Sequence, residues 1–358
     1  MGRGRRVCFR GPYCIHGGDE TLMRRILAIT AFLAIFLTAC LPGPTDTKGS
    51  RTITVYGFSI MKESLERDIY PAFAAKWLRE HGETVTFNSS FAGSETITNQ
   101  ILQGAPADIA ILSIEGDVQR LIKAGHVPED WWATGQKGIV NKTPFAIIVR
   151  RGNPLGIQDF ADLAKPGVRL IHPDPVSSGG AQWSILAIYG SELKKSEVET
   201  GKADPARALS TLQAIWKNVV STPGSAREAR TQLETGHGDA LITYELEGLL
   251  MKQANAPFDM VIPRSTIFSE HPAVVVERNV TPEEKELVFA FRNFLWSDEA
   301  QQAFVKNHFR SVTNESFNTS NPEFAKIELP FTVEYFGGWV KAYPDVIEAI
   351  FRDQVKGK

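Results

Sequence analysis

The chain has 358 residues, of which 43% are hydrophobic, and 39 Lys and Arg oppose 41 Asp and Glu for a formal net charge of -2. This length allows two domains of roughly 100–200 residues each, and the balanced charge argues against a nucleic-acid-binding protein. The 29 Gly and 20 Pro exclude a low-complexity or collagen-like chain. All three cysteines, Cys8, Cys14 and Cys40, precede residue 41, which excludes thiol catalysis, cysteine zinc sites and disulfides from the rest of the protein.

The N-terminal region has the features of a secretory signal. Met23-Arg24-Arg25 precedes an uncharged apolar run at residues 26–37, and Leu37-Thr38-Ala39-Cys40 closes it. The last four residues resemble the lipobox of bacterial lipoproteins, in which the cysteine is diacylated and becomes the first mature residue. Each buried CH2 of an acyl chain contributes about 0.8 kcal/mol to membrane binding. We therefore expect export and a lipid anchor on Cys40, with an uncleaved anchor helix as the alternative.

The segments around this signal have their own predicted roles. Residues 1–39 form the signal region, and the first 22 of them resemble an over-extended start, with Met23 expected as the first residue. Residues 40–50 form the lipidated cysteine and a flexible tether rich in Pro, Gly, Thr and Asp. Because residues 1–39 carry six arginines and two acids, the mature chain has 33 basic and 39 acidic residues and a net charge of about -6.

The mature chain alternates strand and helix patterns in sequence order. An apolar alternation predicts a strand over residues 52–56, and Leu65, Ile69, Phe73 and Trp77 recur at helical spacing between residues 60 and 78. The same order of strand and helix follows at 84–87 and 96–102, at 109–112 and 118–124, and at 169–172 and 181–189. This alternation predicts an α/β fold with largely parallel sheets.

Two further apolar strands, at residues 145–149 and 273–276, enclose a middle segment of the chain. A segment enclosed in this way predicts two lobes between which the chain crosses more than once. We place lobe 1 at residues 51–145 together with 272–358, and lobe 2 at residues 146–271.

Four predicted helices begin with small hydroxyl-bearing residues after a strand, where α/β sheets bind ligands. These starts are Phe58-Ser59, Gly93-Ser94, Ser177-Ser178-Gly179-Gly180 and Gly224-Ser225-Ala226. Free N–H groups at a helix start attract anions, although serine is also a common structural N-cap. Ser225 has Glu228 three residues later, which predicts a capping box. The positions three residues after Ser59, Ser94 and Ser178 hold no carboxylate, so those helix starts stay open to an external anion.

The motifs expected of an enzyme are absent from the sequence. There is no His-x-x-x-His pair, no Gly-x-Ser-x-Gly elbow, no phosphate-binding loop of the Walker type and no Gly-x-Gly-x-x-Gly. We predict structural roles for His172 and His237, and positions at strand entries for Asp108 and Asp239. The sequence therefore predicts a protein that is not an enzyme and uses neither a metal nor a cofactor.

From about residue 53 to residue 342, the chain resembles the sulfate-binding family of periplasmic solute receptors, the capture components of ATP-driven importers. Two stretches, Pro175-Val-Ser-Ser-Gly-Gly-Ala-Gln-Trp183 and Phe336-Gly-Gly-Trp339, are distinctive in combination. Shorter matches lie in the same order along the chain: Gly93-Ser94, Ala107 to Ala110, Val149 to Pro154, Lys165 to Val168, Ser225 to Arg227 and Gly238 to Ile242.

The resemblance implies a two-lobed periplasmic-binding-protein fold of the type II kind, whose hinge-linked lobes close over a dehydrated oxyanion. It implies a monomer outside the cytoplasm that delivers its ligand to the permease subunits of an ABC importer and binds no nucleic acid. By position, the ligands would be the hydroxyls of Ser94 and Ser178, one indole, and the amides of Gly179, Gly180 and Ala226.

Three departures from the family leave the identity of the anion open. The family's Asp-Pro-Thr segment is missing, so Ser59 is our substitute. Tyr244 stands near the position of the indole donor, and Glu95 replaces a glycine beside Ser94, where it would repel a dianion unless it pointed outward. Phosphate, whose proton needs an acceptor such as Tyr244 or Glu95, is the nearest competitor of sulfate, followed by thiosulfate, molybdate or tungstate. A sensory module of the same fold, which reports the anion to a membrane receptor, is the alternative from another functional class.

Overall fold

The first strand and helix of the domain follow the predicted pattern. The structure, a computed structural model, describes residues 49–356, so the signal, Cys40 and most of the predicted tether lie outside the described residues. Strand β1 covers Ser50–Phe58 and begins one residue inside that tether. The helical run α1 then covers residues 59–81, as a 3-10 turn (Ser59–Met61), an α-turn (Lys62–Ser64), a π-turn (Leu65–Ile69) and an α-helix (Tyr70–His81).

Nine further strands follow in the described part of the chain, and each one predicted from the sequence is present. They are β2 Thr84–Ala92, β3 Ile109–Ile111, β4 Ile139–Arg150, β5 Leu170–Ile171, β6 Val219–Ser221, β7 Ala240–Tyr244, β8 Phe258–Val261, β9 Ser265–Val275 and β10 Leu329–Phe331.

Helices follow many of these strands along the chain. They are α2 Ser94–Leu102, α3 Glu115–Lys123, α4 Gly179–Thr200, α5 Pro205–Trp216, α6 Ala226–Glu234, α7 Glu245–Gln253, α8 Lys285–Phe294, α9 Asp298–Lys306, α10 Glu315–Thr319 and α11 Trp339–Ala342. A π-helical segment, Tyr343–Lys356, follows α11.

The strands form one mixed sheet in the order β2-β1-β3-β9-β4-β7-β5-β6, with β10 on β9 and β8 on β4. Strand β1 pairs in parallel with β2 and β3, and β5 pairs in parallel with β6 and β7. The pairs of β9 with β3 and β4, and of β4 with β7 and β8, are antiparallel. The α/β class with largely parallel pairing is therefore confirmed.

Strands β4 and β9 connect the two groups of parallel strands. Ile139 to Pro144 of β4 pair with β9, whereas Phe145 to Val149 pair with β7. In β9 the partner changes at Ala273, from which the strand pairs with β3. The described residues 49–356 lie within one compact unit, and the division into two lobes stays a prediction.

The apolar residues that predicted the elements form the core. Leu65, Ile69, Phe73 and Trp77 of α1 are buried together with Ile53 of β1. A separate cluster joins Ile97 and Ile101 of α2 to Leu121 of α3, and another joins Leu233 of α6 to Leu241 of β7. Burial of one such side chain contributes about 1.5–3 kcal/mol. Packing against a shared sheet therefore holds these helices in place.

Candidate anion-binding site

The starts of helices α2, α4 and α6 meet at Gly93, the N-cap residue of α2. A Cβ atom on Gly93 would lie 2.2 Å from the backbone oxygen of Ser177 and 2.5 Å from that of Gly224. The hydroxyl of Ser177 donates to the same oxygen of Gly224 at 2.9 Å. Only a glycine allows this approach, and it brings three of the four predicted helix starts together.

Ser94, the first residue of α2, is buried and fully engaged by its neighbours. Its Oγ accepts a hydrogen bond from the backbone N–H of Ser113 at 2.9 Å and donates one to Oδ2 of Asp117 at 2.5 Å. Ser113 follows β3, and Asp117 lies in the first turn of α3. The loop between β3 and the start of α3 therefore also reaches the predicted site.

The first turn of α4 packs directly on Ser113 and Tyr244. A Cβ atom on Gly179 would lie 2.8 Å from Cβ of Ser113, and one on Gly180 would lie 2.8 Å from the Tyr244 hydroxyl oxygen. The hydroxyls of Ser113 and Tyr244 are 2.9 Å apart and hydrogen-bonded. Because the first N–H groups of a helix lack intrahelical acceptors, the amides of Gly179 and Gly180 are donors at the centre of this cluster.

Ser178, the N-cap residue of α4, is buried, and its side chain makes no capping hydrogen bond. Its own N–H donates to the backbone oxygen of Asp174 at 2.9 Å, which fixes the backbone of the turn. The indole of Trp183 anchors the same helix, because its Nε1 donates to the backbone oxygen of Ser113 at 2.7 Å. The backbone of Ser178 is therefore fixed, while its hydroxyl makes no capping hydrogen bond to α4.

Helix α6 begins with a structural cap. Oγ of Ser225 accepts from the N–H of Glu228 at 3.2 Å, as predicted, whereas the Glu228 carboxylate accepts from the N–H of Gly224 at 2.9 Å instead of closing the box on Ser225. The Glu228 carboxylate therefore binds Gly224, one residue before Ser225. Gly224 lies in the turn whose backbone oxygen accepts the Ser177 hydroxyl. Ala226, the first residue of α6, is buried beside this cap.

Ser59 and Tyr244 lie on neighbouring elements. Ser59 is buried in the first turn of α1, and α6 packs against that turn. Tyr244 ends β7, and its ring lies 6.2 Å from that of Phe58, which precedes Ser59. Burial raises the pKa of Tyr244 above its ordinary value, so its phenol is neutral. The structure brings Ser94, Gly179, Gly180 and Tyr244 together around Ser113, with Ser59, Ser178 and Ala226 on the surrounding turns.

The charges near the helix starts are paired with each other. The Glu95 carboxylate forms an ion pair with Arg120 and accepts a hydrogen bond from Nε2 of Gln182 at 3.2 Å. Arg227 of α6 binds Glu63 of α1 and Glu247 of α7, the latter at 2.9 Å. The two carboxylates raise the pKa of Arg227, despite its burial, and hold the guanidinium as a cation. Neither Glu95 nor Arg227 thus presents an unpaired charge.

Sequence reasoning missed Ser113 and Asp117. Ser113 follows the buried strand β3, but α3 begins only at Glu115, so Ser113 does not open a helix. Asp117 matches the common preference for acids in the first turn of a helix. The only available signal for either residue was its position at the carboxyl end of β3.

The other polar residues considered from the sequence have structural partners. Nδ1 of His172 lies 2.7 Å from the backbone oxygen of Pro173, and burial lowers the pKa of His172 to about 4. Asp108 accepts from the N–H of Thr54 at 2.7 Å, and Asp239 accepts from that of Arg169 at 3.2 Å. His237 lies 3.0 Å from the Thr235 hydroxyl.

Residues 49–356 contain neither a candidate membrane-spanning helix nor a candidate metal site. No helix in this range is long and apolar enough to cross a membrane. Nor does this range contain a group of three or more His, Cys, Asp or Glu residues placed to hold a metal ion.

The chain is similar to known proteins over most of its length. The model of the bacterial extracellular solute-binding protein family matches residues 53–310. A sulfate-binding protein of Synechococcus elongatus is 32% identical over 89% of this chain and 91% of its own, and a thiosulfate-binding protein of Escherichia coli is 32% identical over 78% and 82%. The solved structure of the sulfate-binding protein SubI from Mycobacterium tuberculosis has a TM-score of 0.74 and 32% identity, over 82% of this chain and 98% of that one.

Proposed function

Because the chain belongs to the bacterial extracellular solute-binding proteins, we propose that it captures sulfate, or a closely related tetrahedral oxyanion, outside the cytoplasm for an ABC importer. It is a binding component and not an enzyme. The observation that carries this proposal is the meeting of the α2, α4 and α6 starts at Gly93, where amide and hydroxyl donors converge.

The ligand set consists of neutral donors. The amides of Gly179, Gly180 and Ala226 and the hydroxyls of Ser94, Ser178 and Tyr244 surround the anion, with Ser59 on the adjoining turn. A hydrogen bond to a charged group contributes about 1.5–3 kcal/mol, so five to seven of them support micromolar or tighter binding after the costs of desolvation and ordering. Helix-start dipoles supply this attraction locally, which explains how a chain of net negative charge binds an anion.

The surroundings favour sulfate over phosphate. Phosphate carries a proton at neutral pH and needs an acceptor, and the two acceptors predicted from the sequence are engaged elsewhere. Glu95 is bound by Arg120 and Gln182. The Tyr244 oxygen can accept the hydroxyl hydrogen of Ser113, which leaves the phenol hydrogen as a donor to the anion. Thiosulfate, the ligand in the name of one relative, has the same charge as sulfate and is the second candidate.

Binding closes the two predicted lobes, residues 51–145 with 272–358 and residues 146–271, about the crossing strands β4 and β9. The protein acts as a monomer, and the closed form is what the permease subunits recognise. Small-angle scattering with and without sulfate tests this step. A smaller radius of gyration at constant mass is the expected result, and an unchanged radius or a dimer mass would contradict it.

Lipid on Cys40 anchors the protein to the membrane on its extracytoplasmic side. Metabolic labelling with radioactive palmitate in a bacterial host tests this part separately. Label should appear on the wild type and be lost in Cys40→Ser, and label retained by that variant would remove Cys40 as the anchor.

Titration calorimetry of the purified protein with sulfate, thiosulfate, phosphate and molybdate tests the ligand. Heat of binding with sulfate at micromolar concentration and none with phosphate is the expected result. No heat with any of the four anions would overturn the assignment to oxyanions.

A further inference from the structure

The hydroxyl of Ser94 has no hydrogen left for an anion in the arrangement that the structure shows. A serine hydroxyl has one hydrogen and two acceptor positions. Its hydrogen points to Oδ2 of Asp117 at 2.5 Å, and one acceptor position takes the N–H of Ser113 at 2.9 Å. A fully deprotonated oxyanion accepts hydrogen bonds only, so Ser94 can serve it only after the bond to Asp117 is reversed.

The surroundings of Asp117 are those of a carboxyl group that binds a proton. Its side chain is fully buried, and its second oxygen, Oδ1, has no hydrogen-bond partner among the described residues. A buried ionised oxygen without a donor is costly, whereas the carbonyl oxygen of a neutral acid tolerates that position better. Thr98, one turn along α2, lies close enough to lower the pKa of Asp117, but its hydroxyl donates to the backbone oxygen of Ser94 at 2.9 Å.

One cation serves two carboxylates in this cluster. Arg120 forms an ion pair with Glu95, and its Nη1 is 3.6 Å from Oδ1 of Asp117. The other elements that face the cluster bring Gln182 from α4 and Tyr343 from the C-terminal helical segment, with Glu348 and Arg352 further out. Burial, followed by the neighbouring Glu95, raises the pKa of Asp117 to about 8 despite Ser94 and Arg120. At neutral pH the carboxyl groups of Glu95 and Asp117 together therefore hold one proton more than two exposed carboxylates would.

We propose that Asp117 is a positioning residue that must bind a proton from solvent before Ser94 can donate to sulfate, so that capture of the dianion takes up a proton above neutral pH. In the protonated state the Asp117 O–H donates to Oγ of Ser94, which still accepts from Ser113 and turns its own hydrogen to the anion. This inference rests on the proposed function and adds a residue that sets its dependence on pH.

The direction of the effect follows from linkage. Below about pH 7 Asp117 already carries its proton in the free protein, so sulfate binding takes up almost none and its affinity is constant. Near pH 9 the free protein has lost that proton, and the bound dianion raises the pKa of Asp117 further. Proton uptake then approaches one per sulfate, and the affinity falls by up to tenfold for each pH unit.

Calorimetry at pH 6.5 and pH 9, in pairs of buffers with different ionisation enthalpies, counts these protons. The wild type should take up close to zero protons per sulfate at pH 6.5 and close to one at pH 9. Asp117→Asn should take up none at either pH and keep a constant affinity, because its amide N–H donates permanently to Ser94. The matched control Glu95→Gln removes the other carboxylate and should keep the uptake, with its onset at lower pH.

Sulfate binding by the wild type without proton uptake at pH 9 would overturn the inference and leave the proposed function intact, whether or not Asp117→Asn folds. Uptake that survives in Asp117→Asn and vanishes in Glu95→Gln would assign the proton to Glu95 and would also overturn it. No sulfate heat at either pH would instead contradict the proposed function itself, and this inference with it.

Discussion

Ser178 and Ser225 are N-cap residues of two helices, α4 and α6, whose starts meet at Gly93. The hydroxyl of Ser225 accepts the N–H of Glu228 and caps its helix, while the side chain of Ser178 makes no such bond although it is buried. A serine at a helix start therefore indicates a ligand only when its hydroxyl does not cap the helix. Four substitutions test this contrast.

Gly93→Ala should have the largest effect, because it removes the close approach on which the comparison rests. The added Cβ would lie 2.2 Å from the backbone oxygen of Ser177, so the helix starts must separate. We expect sulfate affinity to fall by at least about 100-fold, and overpacking of this kind lowers the free energy of unfolding by roughly 1–3 kcal/mol. Gly116→Ala, whose Cβ meets only Ile114 at 3.7 Å, is the control, and calorimetry with sulfate is the measurement. Normal affinity in Gly93→Ala would show that the meeting of the helix starts is unnecessary.

Ser178→Ala should weaken binding without loss of stability. Loss of one hydrogen bond to a charged ligand costs about 1.5–3 kcal/mol, or roughly 10-fold to 150-fold in affinity, and no capping bond is lost from α4. Calorimetry and thermal unfolding measure the two quantities in the same sample. A lower melting temperature with unchanged affinity would make Ser178 an ordinary cap.

Ser225→Ala should have the opposite effect: a loss of stability with little change in affinity. Loss of the bond from the Glu228 N–H should lower the free energy of unfolding by about 1 kcal/mol, and sulfate affinity should stay within about twofold because the Ser225 hydroxyl is spent on the helix. Urea unfolding monitored by circular dichroism gives the first number. A tenfold loss of affinity would mean that Ser225 is a ligand despite its cap.

Glu63→Gln should have a small effect on both affinity and stability. It removes one of the two carboxylates that hold Arg227 and leaves Glu247 in place. We expect affinity to fall about two- to threefold, because α6 loses part of its connection to α1, and stability to change by less than about 1 kcal/mol, as for other partly exposed ion pairs. The salt dependence of binding is a useful second readout. A larger loss of sulfate affinity than in Ser178→Ala would mean that charge, and not neutral donors, provides most of the binding energy.

The structure also changes one expectation about Ser94. From the sequence, removal of its hydroxyl would affect only binding. Because Oγ of Ser94 bonds to both Ser113 and Asp117, removal would leave two buried groups unpaired, at about 1–3 kcal/mol each. Ser178 is therefore the cleaner probe of the anion site.

Features that are local in the chain could be predicted from the sequence alone. Apolar spacing located α1 and its buried face, hydroxyl and glycine residues after strands located the starts of α2, α4 and α6, and ordered motifs indicated the family. These features depend on residues within a few positions of one another, since helical periodicity and capping act over one or two turns. The predictions for the signal region and Cys40 lie outside the described residues and remain predictions.

Which of these groups meet, and how their hydrogens are shared, depends on the folded structure. Ser94 bonds to Asp117, 23 positions away, and the Tyr244 hydroxyl bonds to that of Ser113, 131 positions away. No local pattern encodes such pairs, because they result from the packing of several strands and helices at one edge of the sheet. The direction of the bond between Ser94 and Asp117 depends on burial and on a shared Arg120, which are properties of the folded molecule alone.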